Sequence, residues 1–316
     1  MTQHTLALAT SLFTLVCAAD GQLCPQWSPA RPVGALDAAT IPEASGLAAS
    51  RRYPGRLYHI NDSGNAPVLY LTDAAGAAVG QTALPPMKDS EDLALGPCGD
   101  GTGRDCVFVA DTGDNNRRRT EVGVLVVPEV RTFPAEAAVW KRLRLRYPDG
   151  PHDAESLAVH PVTGDLFLLA KEFALLPGHG RSARLYRLTA DVWRRAGTDR
   201  LTWEPYGEID LPALAAKEGA TFSHVATSMD ISPDGKRLLI LTYDHAWEIA
   251  WDLADGPPPP TAQLQRGRDY QLVQLEPMLG KETIAWLPDG KGFLQGKEFK
   301  PDGEPSVLFR LDCSAP

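Results

Sequence analysis

Five residues with oxygen-bearing side chains recur at one position of a repeated phrase. Ser45 precedes Gly-Leu-Ala-Ala, Glu91 precedes Asp-Leu-Ala-Leu, and Glu155 precedes Ser-Leu-Ala-Val. Thr227 precedes Ser-Met-Asp-Ile and Glu282 precedes Thr-Ile-Ala-Trp. If the five runs converge on one axis, three carboxylates and two hydroxyls meet there. Carboxylates a few ångström apart repel by several kcal/mol at an intermediate dielectric, so protons, basic side chains or a bound cation must relieve them. An all-oxygen set without His or Cys suits a hard cation, and a roomy ring suits Ca2+ better than Mg2+. Ser45, Glu91, Glu155, Thr227 and Glu282 are therefore candidate metal ligands, with Ca2+ the expected cofactor. The competing arrangement is a water-filled mouth whose carboxylates pair with Lys or Arg, and Lys88 and Lys281 are near enough in sequence to contribute.

A second polar set ends the strand that follows each run. It comprises Asn61-Asp62-Ser63-Gly64-Asn65, Asp111-Thr112-Gly113-Asp114-Asn115, Lys171-Glu172, Thr242-Tyr243-Asp244-His245 and Lys297-Glu298. Polar residues here cost strand propensity, and NDSG and DTGD are also good turn formers. Five polar ends around one mouth would make a site. In that reading Asp62, Asp111 and Asp114 are candidate general bases. Lys171 or the run Arg117-Arg118-Arg119 would hold an anion. Asn61, Asn115, Glu172, Tyr243 and Glu298 would contact substrate. As turns and a solvated basic loop, the same residues need no such role.

The elements that must position these groups are hairpins. Residues 153–172 alternate apolar and polar residues, turn at Pro-Val-Thr-Gly-Asp, and continue as the apolar run Leu-Phe-Leu-Leu-Ala. Pro-Asp-Gly turns at 233–235 and 288–290 serve the same purpose in later copies. Short-strand repeats with a period of about 40–50 residues, some lengthened by insertions, indicate a β-propeller. Allotting four strands to each copy gives four complete blades. The fifth, with strands expected at 282–287, 292–295 and 306–311, lacks its outer strand, and residues 31–37 can supply it. The expected fold is all-β: one five-bladed propeller over residues 20–316, closed by its N-terminus. A short helix is expected within 212–223, with Pro212 in its first turn, and the Pro-rich stretch 255–261 is expected to be a stiff loop.

The 316 residues include 28 Gly and 27 Pro, as a turn-rich chain requires, and carry a formal charge of −9. That charge argues against nucleic acid or an anionic membrane as partner. Residues 1–19 read as a secretory signal, with an apolar stretch from Leu6 and small residues at Ala18 and Ala19; it is too short to span a bilayer. A monomer, secreted or periplasmic, is expected. Removing that segment leaves Cys24, Cys98, Cys106 and Cys313, an even number suited to disulfides. Cys98 and Cys106 bracket a Gly-rich insert and can pair locally. Cys24 and Cys313 would then join the two ends that a closed ring brings together.

In order and in blade number, Ser45, Glu91, Glu155, Thr227 and Glu282 resemble the ring of the soluble calcium-activated nucleotidase, or apyrase, family: Ser, Glu, Glu, Ser, Glu. Glu43-Ala-Ser45-Gly-Leu47 is similar to that family's Glu-Leu-Ser-Asp-Leu, and Asp62 matches an acidic position in the family's corresponding loop. The resemblance covers the five inner hairpins and implies a five-bladed propeller with one axial Ca2+ and phosphate-anhydride hydrolysis. Lys171-Glu172 stands where that family has an Arg pair. No Walker loop, G-x-S-x-G or H-E-x-x-H is present. The leading expectation is metal-dependent hydrolysis of a phosphate ester or anhydride. Lactonase or esterase chemistry is the second. The third is a non-catalytic propeller with a structural ion that binds a glycan, peptide or protein.

Overall fold

The computed structural model describes residues 21–174, 176, 178–220, 224–277, 280–298 and 305–314; the expected signal segment lies outside them. Five small, mainly antiparallel sheets form a five-bladed propeller. Their inner strands are Ala44–Ala49, Ser90–Pro97, Ala154–Val159, Ala226–Ile231 and Lys281–Trp286. Each packs on the next, and the fifth packs on the first.

The second strands (Arg56–Asn61, Asp105–Asp111, Leu166–Ala170, Leu238–Thr242, Gly292–Lys297) are almost wholly buried, because both faces meet a neighbouring blade. In Asp105–Asp111, Val107 and Val109 join the cluster shared with blade 1, and Phe108 and Ala110 join the one shared with blade 3. Five hydrophobic clusters form in this way, one at each blade interface. A period-two strand with two apolar faces reads as a continuous apolar run, which is why these strands stood out in the sequence.

Closure follows the expected plan. Val307–Ser314 pairs antiparallel with Arg31–Ala35 and, further along, with Gln26–Trp27. The N-terminal segment thus supplies the outer edge of blade 5. Cys24–Cys313 and Cys98–Cys106 are both disulfide-bonded, with Cα separations of 5.6 and 5.0 Å, as suits an oxidising compartment. The closing segment is also held by Glu248, a buried carboxylate on blade 4. It accepts from the Trp27 indole at 2.9 Å, the Arg237 guanidinium at 3.1 Å and the Cys24 amide at 3.2 Å.

The expected helix is present as Leu211–Glu218. Asp210 caps it by accepting from the Ala213 amide at 2.8 Å, and Gly219 ends it in the left-handed region. A second helix, Ala190–Arg195, was not foreseen; six residues carry too little periodicity to register. It buries Trp193, whose indole donates to the Gly164 carbonyl at 2.9 Å and meets the Phe108 ring edge-on at 5.3 Å. Beyond it, Arg200–Thr202 runs parallel to Lys141–Arg146 and adds a fifth strand to blade 2. Among the described residues no helix is long and apolar enough to cross a membrane.

Candidate metal centre

All five inner strands carry the same irregularity at the same place. The pairing with the second strand jumps between Ala44 and Gly46, Ser90 and Leu93, Ala154 and Ser156, Ala226 and Ser228, and Lys281 and Thr283. The residue left over is Ser45, Thr227 or Glu282, Glu155, or one of Glu91 and Asp92. A β-bulge re-aims the side chain of the residue it leaves unpaired, and bulges gather beside active sites. Each aligned position thus leaves the ladder at one end of the tunnel. The register brings the second-strand ends there too: Ala44 faces Asn61, Ser90 faces Asp111, and Ala154 faces Ala170.

The two hydroxyls are used between blades. Ser45 donates to the Glu91 carbonyl at 2.6 Å, and Thr227 donates to the Lys281 carbonyl at 2.8 Å. The carboxylates cluster unevenly. One oxygen each from Glu91, Asp153 and Glu155 lie within 4.8 Å of one another, and so do one each from Asp62, Asp89 and Glu91. Burial pushes the Glu91 carboxyl well above the usual range, and Glu155, Asp62, Asp89 and Asp153 push it further. Burial also raises Glu282, with Glu155 adding to the effect and Lys171 opposing it. Glu155 Oε2 and Asp89 Oδ1 are buried without a hydrogen-bond partner. Orphaned carboxylate oxygens within an all-oxygen cluster fit a hard divalent cation. Glu91, Asp153, Glu155 and Asp89 are the residues that would hold it, with Asp62 beside them at the rim and Glu282 across the mouth.

Asp89 and Asp153 were missed by sequence reasoning, although a signal was present. Each stands two residues before a ring Glu, so Asp-x-Glu occurs in both copies. Gly113 was missed for another reason: only the fold shows that Glu91 Oε1 and the Asp89 carboxylate lie where its Cβ would be.

The basic residues turn inward. The Lys171 ammonium pairs with Glu155 Oε1 and lies 5.4 Å from the centre of the Tyr243 ring and 5.6 Å from that of Phe173. Burial works against its charge, but Glu155, Tyr243 and Glu282 outweigh this and raise its pKa. Arg117, at φ 50°, binds Glu172 at 2.7 Å and the Lys171 carbonyl at 3.1 Å. Arg119 binds Asp111 at 2.8 Å. Arg118 is exposed. Of the lysines considered as counter-ions from sequence, Lys88 is exposed, and Lys281 reaches the Tyr243 carbonyl at 3.3 Å.

The remaining candidates divide by what they touch. Asp111 accepts from the Lys88 and Asp89 amides, both at 3.1 Å, besides Arg119. Asp114 accepts from the Arg119 amide at 2.6 Å, and its own amide donates to Asp153 at 2.8 Å. Asn61 ties the Glu43 amide and the Thr40 carbonyl, both at 3.2 Å. Glu172 is buried beneath the loop, accepting from the Gly180 amide at 2.7 Å. These four hold the mouth in shape. Asp62, Tyr243 and Glu298 are half-buried at its rim, and Asn115 is exposed. Burial raises the Asp62 carboxyl, with Asp89 and Glu43 adding to it; Glu298 is raised by burial and then by Asp62. Burial lifts the Tyr243 hydroxyl to about 12.

Two cavities lie elsewhere. One of about 280 Å³ sits between blades 1 and 5, beside Arg31, Arg56 and Arg310. One of about 360 Å³ lies along the outer part of blade 2, beside Phe133 and Trp140. Neither includes a ring residue. No family model and no curated protein matches the chain, so the chemistry of the mouth is argued from its own residues.

Proposed function

We propose that the mouth is a divalent-cation centre of the Ca2+ type that supports hydrolysis, and that the chain works outside the cytoplasm. The observation that carries this reading is the Glu91–Asp153–Glu155 cluster with its orphaned Glu155 oxygen, set on bulges at one end of the tunnel. When bound, such an ion acts as a Lewis acid on a carbonyl or phosphoryl oxygen. The chain's own contribution is proton transfer and exclusion of competing charge. Asp62, at the rim with a raised pKa, is the base that takes a proton from water. Asp111 and Asp114, tied to Arg119 and the loop amides, position that rim.

The charge of the mouth selects the substrate. Lys171, Arg117 and Arg119 each neutralise an internal carboxylate. Glu43, Asp62, Asp89, Glu91, Asp153, Glu282 and Glu298 surround them. A polyanion would enter against this field, whereas an uncharged ester or lactone meets no such barrier. Ca2+-dependent ester or lactone hydrolysis is therefore the reading the geometry supports best. The order Ser45, Glu91, Glu155, Thr227, Glu282 favours a second, phosphate-ester or anhydride hydrolysis, as in the nucleotidases it resembles.

A panel of aryl esters, lactones, aryl phosphates and nucleoside diphosphates, each assayed with Ca2+ and then with a chelator, tests both. Chelator-sensitive turnover of esters or lactones is expected. Turnover confined to phosphates would favour the second reading. No turnover of either class, with Ca2+ bound, would leave a structural ion and a binding mouth.

A further inference from the structure

The five-residue ring is electrostatically lopsided. On one side Lys171 pairs with Glu155 and faces Glu282, with its ammonium 5.6 Å from the centre of the Phe173 ring and 5.4 Å from that of Tyr243. On the other side the charges that weigh most on Glu91 are carboxylates: Asp62, Asp89 and Asp153 join Glu155 there. An ammonium cannot leave the first half without abandoning a buried carboxylate. A second cation entering that half would meet like charge at close range.

Resting on the cation-centre reading, we propose that Lys171 is the residue that sets where and how tightly the mouth binds a divalent ion. It acts as a built-in cation for the Glu155–Glu282 half. It confines the exchangeable ion to the Glu91 half, beside Asp62 at the rim. The residue first considered as a clamp for an anionic substrate is thus a counter-ion within the ring. This arrangement also leaves the ion's open side towards Asp62, where the base stands.

Calorimetric Ca2+ titration of the full chain tests this, using wild type, Lys171→Met, Glu91→Gln and Glu282→Gln. Methionine keeps an unbranched side chain of similar size and removes the charge. Lys171→Met should tighten Ca2+ binding by about tenfold or more, the effect of removing one nearby like charge. Glu91→Gln should weaken it by about tenfold or more, and Glu282→Gln by only a few-fold. Unchanged or weaker binding in Lys171→Met, or equal losses in the two Glu variants, overturns the inference while leaving the cation centre intact. Binding by Lys171→Met but not by wild type upholds the role of Lys171 and removes Ca2+ as the native cofactor. No binding by either overturns both. If Lys171→Met does not fold, Glu155→Gln/Lys171→Met removes both members of the buried ion pair. This double variant should bind Ca2+ more tightly than Glu155→Gln alone, and equal or weaker binding would overturn the inference.

Discussion

The carboxylate of Asp92, on the inner strand of blade 2, accepts a hydrogen bond at 3.1 Å from the hydroxyl of Ser228, on the inner strand of blade 4. The same oxygen accepts from the Leu157 amide of blade 3 at 2.9 Å and the Met229 amide at 3.4 Å. One fully buried carboxylate therefore ties three blades across the tunnel. Asp230 repeats the device between blades 4 and 5, accepting from the Trp286 amide at 2.7 Å. Burial raises both carboxyls, Asp230 to about 7, with the amides pulling the other way. These residues staple the tunnel directly behind the mouth.

Asp92→Ala strands several buried donors and should destabilise the chain by about 3–5 kcal/mol. Ser228→Ala should cost about 1 kcal/mol. Because the two side chains are in contact, the double variant should cost less than the sum of the single changes. Denaturant unfolding of the four proteins checks this. Strict additivity would mean that the cross-tunnel hydroxyl bond contributes nothing.

The blades were legible because propeller strands carry two overlapping periods. Residues facing one neighbour alternate with residues facing the other, so Leu166–Ala170 reads as an apolar block that stops at Lys171. The ring positions were legible from the repeat alone, and the structure adds that each sits at a bulge. The charge partners were not legible. Lys171 lies sixteen residues after Glu155, and only the pairing of Ala154 with Ala170 sets them side by side. Arg117 and Arg119 looked like a solvated run. A positive φ at Arg117 and the buried Glu172 turn that loop inward. Asp92 and Asp230 look in the sequence like the polar residues of an alternating strand, and only the fold brings amides and a hydroxyl of neighbouring blades to their carboxylates.

The two disulfides should differ in weight. Cys24–Cys313 closes a loop with a sequence separation of 289, Cys98–Cys106 one of 8. In the loop-entropy model the long loop contributes about 5 kcal/mol and the short one about 2.5, both upper bounds. Cys24→Ser/Cys313→Ser should therefore lower the Tm more than Cys98→Ser/Cys106→Ser. The loss should stay short of complete unfolding, because Glu248 still holds Trp27. Equal Tm losses would show that ring closure is carried by the strand pairing alone.

Acid should act through His59. This side chain is fully buried against Thr72, at 3.0 Å, and burial pushes its pKa down to about 3. A depressed His means that the unfolded chain binds the proton first. Its contribution is thus present above the ordinary His range and is lost as pH falls from about 6.5 towards 3, with a slope of about 1.4 kcal/mol per pH unit. His59→Asn should make the stability curve shallower by about one proton over that window. An unchanged slope in pH-dependent urea unfolding would show that His59 is already charged in the fold.

Gly113 makes room for the Glu91 and Asp89 carboxylates, which lie where its Cβ would be. Its backbone needs no positive φ, so Gly113→Ala displaces these side chains rather than straining the chain. Calcium stabilises a folded site by RT ln(1 + [L]/Kd). Wild-type Tm should therefore rise with Ca2+ and fall on chelation, and Gly113→Ala should blunt that response. A full Ca2+ response in Gly113→Ala would place the ion away from Glu91.

Asp62 and Asp111 look alike in sequence, each ending a second strand at the mouth, but the structure gives them different work. Asp111 holds two loop amides and Arg119, so Asp111→Asn should lower stability by about 1–3 kcal/mol as well as activity. Asp62 is half-exposed. Among the described residues its carboxylate accepts only the neighbouring Ser63 amide, within its own turn. Asp62→Asn should leave the Tm within the range of a surface change, about 0.5 kcal/mol, while reducing chelator-sensitive hydrolysis by about 100-fold or more, as removal of a general base does. Among the described residues Asp289, in an exposed turn at the other end of the tunnel, accepts only the Lys291 amide at 2.9 Å. Asp289→Asn should change neither property. Thermal melts and initial rates on one confirmed substrate separate the three. If Asp62→Asn keeps full activity, the base is elsewhere. If it loses stability as Asp111→Asn does, Asp62 belongs to the scaffold of the mouth and not to its chemistry.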